Sequence, residues 1–372
     1  MNPQSRENDL PVIHDEQINL LERLCNACAV SGDEGEVRLI VLEQVRAAVS
    51  SRGGEIKSDA LGNVLVTRPA SASGQGAPLR VMVAAHMDEI GFMITQDEDK
   101  GYYRFDTVGG IDLRTIAGKP VWIGHDHIPG VIGVKAIHLL QPDERSRAPS
   151  LDSLRIDVGP GNSKVKLGDR ATFATPFARL GPSLRAKALD NRLGVAILIE
   201  LVKNPPPNIE LLAAFTVQEE VGLRGARVAA YHFNPDLAIA LDSTPAYDMP
   251  SQEDLDAGRV ENTTYNSRLD HGPAIYLADS STISDPRLVR HMADTAEARG
   301  IPYQFRQPGG GGTDAGAIHK TRAGIPSISI STPVRYFHTP ASIARISDWQ
   351  HTWALVYAAL GSLTPAVLSA ER

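Results

Sequence analysis

Apolar segments of two different periods alternate through the second half of this chain, and that alternation restricts its fold more than any other feature. Residues 191–203 carry helical spacing and stop at Asn204-Pro205-Pro206-Pro207, after which 209–217 is a short continuous apolar run with strand character. The same reading gives helices at 224–232 and 286–299, a short one at 314–321 and a long closing one at 342–363. Strands fall at 237–241, 274–277, 303–306 and 326–330. Strands that alternate with helices imply an α/β fold, with a mostly parallel sheet covered on both faces.

The first half begins the same way. Residues 17–29 read as a helix, and Ser31 followed by Glu34 reads as a capping box that opens a second helix to about Val49. Strands are expected at 63–67 and 79–85, separated by a Ser/Gly/Pro-rich turn over 70–78. From 89 to 184 the character changes. Short apolar runs at 91–94, 120–123, 131–134 and 171–173 are separated by Gly, Pro and Asp, and no helical period is sustained. That pattern predicts a small all-β barrel inserted into the α/β domain, so the chain divides into 1–88, 89–184 and 185–372. No internal repeat or low-complexity tract is visible.

Composition excludes several function classes. At 372 residues the chain is long enough for two domains, and its net charge of -7 argues against a general nucleic-acid or anionic-membrane partner. No apolar stretch is long enough to span a bilayer, and residues 1–17 are polar without the apolar core of a secretory signal. Cytoplasmic residence is the expectation. The only cysteines, Cys25 and Cys28, sit within the first helical pattern and read as small packing residues.

Chemistry-bearing residues gather where apolar runs end. Gln218-Glu219-Glu220 closes one run and precedes Gly222, whose turn can swing both carboxylates toward one pocket. One of them then binds a metal while its neighbour handles protons. In His86-Met87-Asp88 the spacing lets His86 ligate through one ring nitrogen while Asp88 orients the ring. Asp190-Asn191 opens a helix, where Asp190 serves as a cap or as a carboxylate that bridges two cations. Asp242 ends a strand and His338 lies in a loop after one; alone, each reads as an ordinary turn residue. Two histidines, two aspartates and one glutamate dispersed over strand ends suit a divalent zinc, cobalt or manganese site beyond the carboxyl edge of a sheet. Other features carry less. His125-Asp126-His127 reads as a surface turn. The glycine run 309–312 before Thr313-Asp314 lacks the Lys-Ser/Thr of a phosphate loop, and Ser183 and Ser331 lack a nucleophile signature. His138, His271 and His319 have no evident partners.

Five segments taken in order resemble the successive motifs of the tetrahedral, or deblocking/glutamyl, aminopeptidases, which are dinuclear metallopeptidases. They are His86 to Ile94, Lys187 to Gly194, Val217 to Gly225, Gly311 to His319 and Tyr336 to Pro340. The resemblance covers nearly the whole chain after its N-terminal tail. It implies that Asp190 bridges two cations and that His86, Glu220, Asp242 and His338 are terminal ligands. It also implies Glu219 as general base and Asp88 as the partner of His86. A β-barrel-like insertion is implied too, together with hydrolysis of short peptides by dimers assembled into a hollow dodecamer. The chain departs from the pattern in the long polar segment 244–270 and in Leu269-Asp-His-Gly-Pro273, where a Lys-Gly-Pro approach is more usual. Two alternatives compete: a glycan hydrolase, which needs two opposed carboxylates and no metal, and a non-catalytic assembly protein with a structural metal.

Overall fold

A computed structural model describes residues 10–372 apart from 73–76, 162–163, 259–266 and 307–309. The polar N-terminus before Leu10, parts of the 70–78 turn and of the 244–270 segment, and Gly309 lie outside the described residues.

The chain begins with α1 (Asp15–Asn26), α2 (Gly35–Arg52), β1 (Glu55–Ser58), β2 (Val64–Arg68) and β3 (Leu79–His86). Six strands of the insertion follow: β4 (Gly91–Asp97), β5 (Tyr102–Val108), β6 (Pro120–Ile123), β7 (Ile128–Gly133), β8 (Arg155–Asp157) and β9 (Arg170–Phe173). The chain then returns through β10 (Ala178–Leu180), β11 (Ser183–Ala186), α3 (Leu189–Lys203), β12 (Ile209–Thr216), α4 (Arg224–Phe233) and β13 (Leu237–Pro245). It continues with α5 (Gln252–Asp256), β14 (Ala274–Tyr276), α6 (Pro286–Arg299), β15 (Gln304–Arg306) and α7 (Ala315–Ile318). It closes with β16 (Ser327–Arg335), β17 (Ser342–Arg345), α8 (Ile346–Ser362) and α9 (Pro365–Ser369).

The large sheet runs β1-β2-β12-β3-β13-β16-β17-β11-β10, with β14 and β15 attached beside β16. Its centre, β12-β3-β13-β16, is parallel, as the helix–strand alternation implies, and antiparallel strands extend it on both sides. Side-chain alternation makes it two-sided. Val81, Val83 and Ala85 of β3 face a core shared with α1, α2, α3 and α8, while Met82 and Ala84 face one shared with α4. The central strands are therefore buried on both faces: β3, β12 and β13 are mainly apolar, while β16 alternates Ile328 and Ile330 with the buried Ser327, Ser329 and Ser331.

Strands β4-β5-β8-β7-β6-β9 close into a barrel. Its interior is held by Phe92, against which Phe105 and Phe173 pack edge to face at 5.1 and 5.3 Å between centroids. The last barrel strand ends at Phe173, and β10 and the first residues of β11, which fall in the 89–184 stretch, belong to the large sheet.

Several local expectations are corrected. The capping box at Ser31 does not form: the N-cap of α2 is Glu34, and the Ser31 hydroxyl goes elsewhere. The helix expected from Ser342 begins only at Ile346, because residues 342–345 pair with β16 and β11. The first helix ends at Asn26, so Cys25 packs inside it while Cys28 lies beyond its end.

Candidate metal centre and active site

The parallel strands deliver their ends to one place. His86 is the last residue of β3, Asp242 lies near the end of β13, and Glu219-Glu220 follow β12. Asp190 and Asn191 open α3 with non-helical dihedrals and a cis bond between them. Asn191 takes over the capping role: its Oδ1 accepts from the Gly194 amide at 3.1 Å and its Nδ2 donates to the Leu241 carbonyl. A Cβ on Gly194 would sit 2.3 Å from Asn191 Oδ1, so only glycine fits there. This leaves the Asp190 carboxylate free to face the cavity.

The five expected ligand residues converge. His86 Nε2 lies 3.4 Å from Asp190 Oδ1 and 3.5 Å from Asp242 Oδ1. His338 Nε2 lies 3.1 Å from Asp190 Oδ2 and 3.4 Å from Glu220 Oε2. Two triads result, His86-Asp190-Asp242 and Asp190-Glu220-His338, each with donor atoms within 4.8 Å of one another. Asp190 belongs to both, and its buried Oδ1 has no hydrogen-bond partner.

The remaining nitrogen of each imidazole is fixed from behind. His86 Nδ1 faces the Asp88 carbonyl at 3.2 Å and its carboxylate at 3.4 Å. His338 Nδ1 donates to the carbonyl of Gly110, in the barrel, at 2.9 Å. The inserted domain thereby orients one of the two histidines.

Asp88 does more than orient a ring. Its Oδ1 accepts from the Glu219 amide at 3.0 Å, and its Oδ2 accepts from the Glu220 amide at 3.2 Å and the Ser31 hydroxyl at 2.5 Å. Gln218, at φ 55, donates its amide to Glu34, and Thr216 donates its hydroxyl to Asp314. Behind these lies a buried charged knot. Glu89 accepts from Lys187 Nζ at 2.7 Å and from Arg192 Nη2 at 3.2 Å, and Arg192 also donates to the Met87 and Asp88 carbonyls. Sequence reasoning assigned no role to Glu89, Lys187 or Arg192, and read Ser31 and Glu34 only as a capping box and Asp314 only as a helix start. The available signal was polarity inside apolar segments: Lys187 and Arg192 flank Asp190, and Glu89 follows His86-Met87-Asp88 directly.

Electrostatics are those of a site crowded with carboxylates. Burial alone would lower His86, but Glu219, Asp190, Asp242 and Asp88 outweigh it and raise its pKa well above the usual range. His338 is likewise raised to about 11, mainly by Glu220 and Asp190, against burial. Burial and the Asp190 charge push Asp242 up to about 7, and burial pushes Glu219 well above the carboxylate range. For Asp190, burial is overcome by the two imidazoles, and its pKa falls. Without cations, protons balance the charge.

These residues open on a cavity of about 620 Å³, whose wall also includes Tyr247, Tyr276, Arg306 and the glycines 310–312. Pro245 and Tyr247, from the start of the polar 244–270 segment, are part of that wall. Neither Ser183 nor Ser331 is among the cavity residues.

The sequence model of the M42 glutamyl aminopeptidases matches residues 62–355, a span that contains every residue of both triads. The chain belongs to the M42 glutamyl aminopeptidase family. Membership carries a peptidase function. A relative from Acetivibrio thermocellus, itself provisionally assigned as an aminopeptidase, is 36% identical over 352 residues, 93% of this chain and 99% of that protein. Solved structures of aminopeptidases share the fold. Aminopeptidase APDkam598 from the archaeon Desulfurococcus kamchatkensis superposes with a TM-score of 0.86 at 32% identity, covering 95% of this chain and 97% of that one. The TET1 peptidase of Pyrococcus horikoshii, described as assembling into a tetrahedron or a large octahedral shell, gives 0.78 at 30% identity over 93% and 100%.

Proposed function

We propose that this peptidase removes N-terminal residues from short peptides with two divalent cations held on either side of Asp190. The supporting observation is that one buried carboxylate belongs to two donor triads at once and has an oxygen with no hydrogen-bond partner. The donors fit such ions: imidazole nitrogens and carboxylate oxygens suit zinc or cobalt, and manganese is also compatible. His86 and Asp242 would hold one cation, Glu220 and His338 the other, with Asp190 shared. When bound, the ions supply Lewis acidity that acidifies water and neutralises charge developing on the peptide carbonyl.

The protein groups divide the remaining work. Glu219 lines the cavity and is the candidate general base, taking a proton from the attacking water and returning it to the departing amine. Asp88 positions it through the amide hydrogen bond and positions His86 through Nδ1.

Arg306, on the cavity lining, supports a preference for the substrate's first side chain. It is 3% exposed and lies over the Tyr276 ring at 4.5 Å, bonded through Nε to Thr244 and through Nη2 to the Gly310 carbonyl. Its Nη1 meets no partner, and no carboxylate pairs with it among the described residues. A buried guanidinium beside the cavity favours an acidic N-terminal residue, Glu or Asp.

The reading extends to location and assembly. No helix among the described residues is long and apolar enough to cross a membrane, which accords with a cytoplasmic enzyme. Self-association to dimers and a dodecamer accords with exposed Val131, Val134, Ile137 and Leu139 on and beside the barrel.

A panel of aminoacyl chromogenic substrates, assayed after chelation and after readdition of zinc, cobalt or manganese, tests the proposal. Glutamyl and aspartyl substrates should be released fastest, only with metal, and Arg306→Gln should reduce that preference at least about tenfold. Absence of release with every metal, or glycan hydrolysis that survives chelation, would overturn it.

A further inference from the structure

We infer that Cys28, Glu36 and His127 form a separate binding site for a zinc-class divalent cation, which pins the barrel to the α/β domain. The three come from three places: the turn after α1, the first turn of α2, and the β6–β7 turn of the barrel. Their donor atoms lie within 4.8 Å of one another. Zinc bound at about 2.3 Å to sulfur and about 2.0 Å to nitrogen or oxygen spaces tetrahedral ligands roughly 3.5 Å apart. Small side-chain rotations therefore close the triad.

The local structure already aims these groups. Glu36 Oε2 accepts from the Cys28 amide at 2.9 Å, which leaves Oε1 for His127 Nε2 at 2.5 Å. The tight β6–β7 turn, with Gly124 at φ 63 and His127 at φ 48, sends both of its histidines toward the start of α2. His125 Nε2 lies 3.6 Å from Asp33 Oδ1, and these two line a recess with Cys28 and Glu36. A surface ion pair accounts for Glu36 and His127, but not for a thiol brought beside them. Arg170, which also lines the recess, is bonded to the Ser31 and Gly168 carbonyls.

The position gives the site a consequence. Cys28 and Glu36 bracket residues 29–35, the segment that places Ser31 on Asp88 and Glu34 on the Gln218 amide. A cation held there ties that segment to the barrel turn.

Cobalt(II) titration of the purified protein tests the site independently of peptidase activity. The proposed catalytic centre contains no sulfur, and Cys25 is fully buried in α1. The expected result is a thiolate-to-cobalt charge-transfer absorption and three cobalt ions per chain. Cys28→Ser should lose the absorption and one ion while peptide release persists. His127→Gln, on a half-exposed turn, should also lose one ion, and it stands in should the cysteine variant fail to fold. One cobalt with the charge-transfer band would uphold this site while sinking the dinuclear reading. No charge-transfer band, or an unchanged cobalt count in both variants, would overturn it.

Discussion

Asp88 Oδ1 accepts the Glu219 backbone amide at 3.0 Å, so the carboxylate behind the His86 ring also anchors the turn that carries the candidate base. Oδ2 repeats the arrangement with the Glu220 amide. One side chain thus couples a histidine at the end of β3 to two carboxylates after β12.

Asp88→Asn tests that coupling. It preserves size but sets an NH2 donor against backbone N–H donors. Turnover and cation affinity should each fall by about 10–100-fold, the range expected when a group orienting a metal ligand is changed. Steady-state kinetics with metal titration measures both, and unchanged values would show that Asp88 only fills space.

Glu219→Gln should separate chemistry from binding. Glu219 belongs to neither donor triad, so both cations should remain while turnover falls about 10²-fold or more. Near-normal turnover removes Glu219 as the base.

Much of this was legible in the sequence. Apolar runs reported the central strands, and ligand candidates at their ends pointed to the candidate site, because parallel strands bring their carboxyl ends to one edge. Other features were hidden for definite reasons. The Ser31–Glu34 spacing fits a capping box, yet tertiary contact with Asp88 claims the Ser31 hydroxyl. The strand 342–345 runs straight into α8, so no break in composition marks the boundary. Cys28 and His127 are distant in the chain and meet only because the barrel folds back over α2. Pairings of that kind leave no local signal.

Cation binding should release protons. In the folded chain His86 and His338 have pKa values raised above the ordinary 6.5, His338 to about 11. Without cations, their protonated forms stabilise the fold fully below about 6.5, and the His338 contribution is lost as pH rises through about 11. Cations displace those protons, so binding at pH 7 should release about two protons or more per chain and tighten as pH rises. Calorimetry in buffers of different ionisation enthalpy measures this, and zero proton release contradicts it.

The knot behind the site should be structural. Glu89→Gln leaves Lys187 and Arg192 buried without their shared carboxylate, which should cost about 3–5 kcal/mol in denaturant unfolding. A loss below about 1 kcal/mol would mean that water or backbone carbonyls satisfy both cations.

The account turns on Asp190 standing between two cations. Anomalous diffraction at the zinc edge from crystals grown with zinc tests it most directly. Two strong peaks should flank Asp190, one beside His86 and Asp242 and the other beside Glu220 and His338, and both should weaken in Asp190→Ala. A single peak away from Asp190, or no peak in this cavity, would contradict it.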